Sequence, residues 1–363
     1  MPLGDRRGWV FALAVLLFGC AEGFTPPSKL ESLRVLAVQP EPASGVPGEP
    51  VKLTMLFHDG RSEPDEVPPA PEVLWIGGCH NPPSRQYFGC YAAIDAMVRQ
   101  LSDAGGDADA PPPFTPVPGL LGMGPEFEFP VPEGMLEEAP RYDSDPIHFG
   151  VSYVFFAVCA GKLQLDPKSK GTLPLSCLDV DTGRRLGTDD YVEGFTTVYT
   201  YEGSLNHNPS LENIEFAGAP VSLGACESDA DCGELASDLS GFKSYGCSAT
   251  GQCIPMVTRC DGDDSCPEYP IESFATRESA EPDPSAPEAG QGEILWLNFF
   301  ADAGEFSADT RLLNDRETGW VDNHTNGWRP IQKTPGSARL FVTLNDNRGG
   351  ADWQRFEVLL RDP

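Results

Sequence analysis

Eleven cysteines limit what this chain can fold into more than any other feature. Six of them, Cys226, Cys232, Cys247, Cys253, Cys260 and Cys266, fall within 41 residues, and four more stand at Cys79, Cys90, Cys159 and Cys177. Such a density is held either by metal or by disulfides. Small zinc modules use closely spaced Cys pairs together with further Cys or His. No C-x-x-C occurs, and residues 226–266 contain no His. The ten cysteines beyond Cys20 are an even number, the mark of a disulfide framework in an oxidising compartment. Spacing does not choose among the pairings of the six. Cys79 and Cys90 bracket HNPPSRQYFG as a disulfide-closed loop.

Cys20 has a different setting. Arg6 and Arg7 precede an apolar run over residues 9–18, and the run ends in Leu17-Phe18-Gly19-Cys20. It is too short to span a bilayer, which takes about 20 residues, and it fits an export signal. Its Leu-x-small-Cys ending resembles the lipobox of bacterial lipoproteins. The resemblance implies that residues 1–19 are a signal peptide, that Cys20 is acylated on its sulfur and its new amino group, and that residues 20–30 are a lipidated tether. Each buried methylene contributes about 0.8 kcal/mol, so two or three chains anchor stably where one does not. Ala21 stands where an inner-membrane retention signal has Asp, which points to the outer membrane. The rival is an ordinary cleaved signal with Cys20 a bystander.

Charge narrows the partners. The chain has 25 Lys and Arg against 55 Asp and Glu, a net of −30. Phosphate binding needs clustered cations, so nucleic acid is excluded. Such a charge also keeps an envelope protein soluble and repels anionic surfaces.

Period-two alternation predicts an all-β fold. Leu33, Val35 and Ala37 alternate with their neighbours, as do Val51, Leu53, Met55 and Phe57 beyond a Pro-Gly turn. Residues 73–76 lead as a strand into Cys79, residues 91–101 read as a short helix with Ile94, Val98 and Leu101 on one face, and residues 151–159 read as a central strand. Residues 195–201 close a first domain, 31–204. A second, 205–363, starts at Leu211 and continues in residues 294–300, in Ala338, Leu340, Val342 and Leu344, and in Phe356, Val358 and Leu360. Residues 224–268 interrupt it as a cysteine-rich insertion, and residues 269–292 follow as an acidic, Pro-rich linker. The pattern is that of two immunoglobulin-like β-sandwiches with a disulfide-rich insertion in the second.

Two resemblances add to this reading. The lipobox, the LRVLAV opening, FFAVCAG and the NDNRGG hairpin near the C-terminus are similar to predicted lipoproteins of myxobacteria and their relatives. That family implies an anchor and immunoglobulin-like domains, and lends no activity. Cys247-SATGQ-Cys253-IPMVTR-Cys260-DGDDS-Cys266 resembles the middle of a low-density-lipoprotein-receptor class A repeat, whose family binds calcium. Asp261 falls on a ligand position and Asp264 one residue early. The later acidic box and the final cysteine are missing, and calcium needs six to eight oxygens. A small disulfide knot in a loop, with no bound metal or cofactor, is the simpler expectation.

No H-E-x-x-H, G-x-S-x-G or P-loop is present. His58, His80, His148, His207 and His324 are isolated, and the acidic pairs Asp179/Asp181 and Asp189/Asp190 are what so acidic a chain yields by chance. The candidate ligand site is the stretch 319–329, where Trp320, Asn323, His324, Asn326 and Trp328 combine aromatic faces with amides, as sugar rings require. The competing expectation is that the tryptophans plug the end of the sandwich. The sequence therefore predicts a non-catalytic binding or structural module of the cell envelope, with a polysaccharide or an envelope protein as ligand. A secreted carbohydrate-active hydrolase and a passive spacer are the alternatives.

Overall fold

The computed structural model describes residues 25–61, 70–104, 117–166, 169, 171–262, 266–284, 292–332 and 336–363, with backbone only for 98–104. Within them the protein is mostly β, as the alternation predicts. The N-terminal half contains β1 (Leu33–Glu41), β2 (Pro50–Asp59), β3 (Glu72–His80), α1 (Tyr91–Ala104), β4 (Leu121–Met123), β5 (Glu126–Pro130), β6 (Phe149–Cys159), β7 (Lys162–Leu165), β8 (Leu175–Leu178) and β9 (Tyr191–Tyr201). One sheet runs β1-β2-β5 and the other β4-β3-β6-β9. Their facing sides share a core of Leu33, Val51, Leu53, Trp75, Phe127, Phe129, Val154 and Phe156.

The second sheet is apolar on its other side too. Val151, Tyr153, Phe155 and Ala157 of β6 are buried there with Leu74, Ile76 and Cys79. Strand β6 is thus buried on both faces, which is why its sequence is continuously apolar rather than alternating. The outer face is roofed by α1, through Ile94, and by the β7–β8 hairpin, through Leu163 and Leu175. Two disulfides fasten this roof: Cys79–Cys90 ties β3 to the start of α1, and Cys159–Cys177 ties β6 to β8.

The C-terminal half contains β10 (Leu211–Phe216), β11 (Ala219–Pro220), α2 (Asp229–Leu235), β12 (Tyr245–Cys247), β13 (Cys253–Thr258), β14 (Tyr269–Ala275), β15 (Leu295–Ala301), β16 (Glu305–Phe306), β17 (Thr310–Asp315), β18 (Gly319–Trp320), β19 (Thr325–Arg329), β20 (Gly336–Asp346) and β21 (Ala351–Arg361). A five-stranded sheet β11-β10-β14-β19-β16 faces a seven-stranded sheet β12-β13-β21-β20-β15-β17-β18. Between them lie Ile214, Phe216, Ile271, Leu297, Phe299, Leu340, Val342 and Val358.

Three expectations need correction. The stretch read as a linker, 269–292, begins with strand β14, because Ile271 and Ser273 point into the core and its backbone pairs with both β10 and β19. The cysteine-rich insertion is more than a knot in a loop. Its hairpin β12–β13 lengthens the seven-stranded sheet, with Met256, Val257 and Thr258 lying parallel to Leu359, Leu360 and Arg361. The tether is not free over its whole length. Ser28 and Leu30 exchange backbone hydrogen bonds with Ala301 (Ala301 N–H to Ser28 O, 2.8 Å; Leu30 N–H to Ala301 O, 2.8 Å), and Leu30 is fully buried.

Leu30 lies in the joint between the halves. It packs with Leu36, Ala37 and Leu56 from the first sandwich and Phe341 from the second. His58 Nε2 stands 3.4 Å from the Asp302 carboxylate, and its ring meets Phe341 at 5.0 Å. Elsewhere between the halves, Arg348 is buried in the turn between β20 and β21. Its guanidinium donates to Glu293 (2.6 Å) and Glu281 (3.0 Å), and to the carbonyl of Leu205 between the halves (3.4 Å). Asp346 closes the same turn by accepting from the backbone N–H groups of Arg348 (2.7 Å) and Gly350 (2.8 Å). Gly349 has φ +95°, and a Cβ there would sit 3.0 Å from the Thr197 carbonyl of β9, so the turn presses on the first sandwich.

One guanidinium serves several buried acids. Burial pushes the Glu293 carboxyl up to about 8; Asp346 and Glu281 push the same way, and the hydrogen bond and charge of Arg348 oppose them. The folded protein therefore holds a proton that the unfolded chain has released above its ordinary carboxyl range. A raised acid pKa is stabilising at low pH, and the contribution is lost as pH climbs from about 5 to 8. Glu293→Gln mimics the protonated form. The difference in melting temperature between Glu293→Gln and wild type should move in favour of the variant across that window, in thermal unfolding at pH 5, 6.5 and 8.

Candidate functional site

Much of the expected ligand stretch 319–329 faces inward. Trp328 on β19 is fully buried in the core, with its Nε1–H donating to the Ala303 carbonyl at 3.2 Å. Gly304 leaves it room: a Cβ at 304 would lie 2.4 Å from Trp328 Nε1. Asn326 is buried and donates to the Ala308 carbonyl (2.7 Å). The His324 ring lies between the carbonyls of Val321 (2.7 Å) and Ser273 (3.1 Å) and edge-on to Trp320, which is half-buried. Of the five expected ligand residues only Asn323 is exposed, and its side-chain oxygen accepts from the Thr325 N–H (3.1 Å). β18 and β19 bring these residues together; the His324 ring, the Trp328 Nε1–H and the Asn326 amide nitrogen bond to backbone carbonyls, while Asn326 Oδ1 is buried without a partner among the described residues.

The other expected site residues are equally accounted for. The ten cysteines form five disulfides, with Cys226–Cys247 and Cys232–Cys253 lying side by side and Cys260–Cys266 separate. The sulfurs of Cys226, Cys232 and Cys253 lie together, but in bridges rather than as thiolates, so they are not metal ligands. Asp261 is exposed and ion-paired with Arg259 (2.9 Å), which leaves it poorly placed to hold calcium; Asp264 and Cys20 lie outside the described residues. Asp179 accepts from Thr182 within its own turn, and Asp190 pairs with Arg61. His80 meets the Ser152 hydroxyl (2.9 Å) and is shifted down by burial; His148 meets the Leu136 carbonyl (2.7 Å), and His207 meets Glu281 (2.6 Å).

A surface the sequence reading passed over is better built. The Cys79–Cys90 loop carries Tyr87 and Phe88, exposed by 37% and 57%, beside Phe195 of β9, exposed by 41%. Tyr87 stacks on Phe195 with centroids 4.6 Å apart at 21°, and Phe88 lies edge-on to Tyr87 at 5.9 Å. Tyr91 lies edge-on to Tyr87 at 6.0 Å, and Tyr153 packs beneath Phe195 at 5.5 Å.

The loop is held firmly. Asn81, Ser84 and Arg85 all have left-handed φ, of 44°, 59° and 51°. Non-glycine residues in that region carry strain that the surroundings must support. The support is visible. Asn81 donates to the Met135 carbonyl (2.7 Å) and accepts from the Val151 N–H (3.0 Å). The Tyr153 hydroxyl donates to the Arg85 carbonyl (3.0 Å). The Arg85 guanidinium pairs with Asp145 (2.6 Å), donates to the Pro140 carbonyl (2.5 Å) and lies over the rings of Phe149 (3.9 Å) and Tyr142 (4.9 Å). The nearest acid on β9 is Glu193, which accepts from the Tyr191 hydroxyl (2.6 Å) and the Thr172 N–H (2.9 Å).

Comparison with known proteins leaves the function open. No protein-family model matches the chain, and no curated protein matches it. Among solved structures, Escherichia coli α2-macroglobulin activated by porcine elastase is matched over 94% of this chain and 23% of its own length, at 11% identity and a TM-score of 0.19. The dimeric latent PorU of Porphyromonas gingivalis is matched over 92% of this chain and 24% of its own, at 10% identity and a TM-score of 0.19. The chain thus spans about a quarter of the solved chains it is similar to. Similarity at that level carries no argument about activity.

The two tryptophans should behave differently on truncation. Trp328→Ala opens a core cavity and should cost about 3–5 kcal/mol, whereas the half-buried Trp320→Ala should cost less than half as much. Chemical denaturation of the two variants measures both.

Proposed function

We propose that the chain is an exported lipoprotein of the cell envelope, anchored through Cys20 and acting as a non-catalytic binding module. The observation that carries this reading is the pairing of the other ten cysteines among themselves, which leaves Cys20 as the odd one at the end of its apolar run. Five disulfides belong to an oxidising compartment. No helix among the described residues is long and apolar enough to cross a membrane.

The docked segment refines the picture. Ser28–Leu30 is fixed in the joint, so eight residue steps separate Cys20 from the folded body. Fully extended they reach roughly 30 Å. A hydrolase would need an acid of raised pKa facing a second carboxylate across an open cleft. Among the described residues the two acids pushed up, Glu293 and Asp346, are buried at the joint.

Cys20→Ser tests the anchor. Wild-type protein should take up a labelled fatty acid and partition into detergent, and the variant should do neither. Absence of label on the wild type, or label persisting on the variant, overturns the reading.

A further inference from the structure

Three large aromatic side chains reach the surface in a contiguous row: Phe195 on β9, and Tyr87 and Phe88 on a loop fixed by a disulfide, a part-buried ion pair and three left-handed residues. Tyr87 and Phe195 also pack on the rings beneath them, but Phe88 is exposed by 57% and, among the aromatic rings of the described residues, touches only Tyr87. Contiguous exposed apolar surface marks an interaction site. Rigidity raises affinity by lowering the entropy lost on binding.

We propose that Tyr87, Phe88 and Phe195, with Glu193 and Thr197 beside Phe195 on the same face of β9, form a shelf that binds a neutral polysaccharide strand. The proposal rests on the reading of the chain as an envelope binding module and names the ligand class. Pyranose rings present C–H faces that stack on aromatic rings, and their hydroxyls need acceptors and donors at the edge. The shelf offers both kinds of group. Phe88 and Phe195 expose ring surface, and the Glu193 carboxylate and Thr197 hydroxyl flank Phe195 two residues away on either side in an extended strand. The Tyr91 hydroxyl lies beside Thr172 and Glu193.

Charge and size select among occupants. A net of −30 disfavours anionic polymers. A stable protein partner covers about 800 Å² on each side, whereas three half-exposed aromatic side chains offer roughly 300 Å². That area suits two or three sugar rings.

The test is electrophoresis of the full chain in native gels cast with dextran, a β-1,3-glucan or hydroxyethylcellulose. At least one neutral glucan should retard the wild type. Phe88→Ala and Phe195→Ala should each weaken retardation at least about tenfold, and Trp320→Ala should leave it unchanged. Phe88 is exposed, so Phe88→Ala should keep the wild-type melting temperature. No retardation by any of the three, retardation that survives Phe88→Ala, or retardation only by an anionic polymer such as alginate overturns the proposal. So does a cross-link from position 88 to an envelope protein without glucan binding. Acyl labelling of the same preparations separates the two readings: label with no retardation rejects the shelf alone, and absent label rejects the anchor.

Discussion

The burial of β6 on both faces is the constraint from which the rest of the N-terminal half follows. A two-sheet sandwich needs one apolar face per sheet. Here the sheet β4-β3-β6-β9 has two, so a third layer must cover it. Helix α1 and the β7–β8 hairpin supply that layer, and neither is large enough to hold itself in place. Each is fastened to the sheet by one disulfide. Closing a loop of the Cys79–Cys90 size contributes about 3 kcal/mol in the chain-entropy account, a large share of what a roof element this small can gain from packing. The exposed rings of Tyr87 and Phe88 sit at the rim of the roof, and their position depends on the same fastening.

The joint between the halves solves a different problem. Two sandwiches joined by a short connection would hinge freely if their contact were small and polar. The apolar patch of Leu30, Leu36, Ala37, Leu56 and Phe341 resists that, and the Arg348 cluster holds the turn between β20 and β21, which lies against β9. Buried ion pairs are weak sources of stability but can specify geometry. Arg348 bonds to Glu281 and Glu293 and to the connection at Leu205, which ties the second sandwich to the link between the halves.

Much of the fold was legible because it is local. The alternation in β2 and the NDNRGG turn between β20 and β21 each report on neighbours close in sequence, and the unbroken apolar run of β6 identifies a central strand; in β1 the alternation holds only for Leu33 and Val35, because a bulge after Val35 turns Ala37 to the joint beside Leu36. The misreadings have a common origin in distant partners. Strand β13 lies parallel to β21 some 100 residues later, and β14 is completed by β10 and β19 on either side. Nothing within 224–292 announces those partners. Strand β5 shows clear alternation in EFEFP, but at five residues it is too short to stand out. The tryptophan stretch misled because composition gives residue types and not faces: Trp328 points into the core and Trp320 sits at its margin. The loop HNPPSRQYFG was visible as a disulfide-closed unit, yet its rings become a surface only beside Phe195, more than 100 residues away.

The central claim is that the disulfide-fastened roof, rather than the sandwich beneath it, holds the aromatic surface in place. Hydrogen exchange on wild type and on Cys79→Ala/Cys90→Ala tests it directly. The account predicts that amides of residues 79–104 lose protection in the double variant, while β1, β2, β5 and all strands of the C-terminal half keep theirs. Unchanged protection over residues 79–104, or its loss throughout both sheets of the N-terminal sandwich, would contradict it.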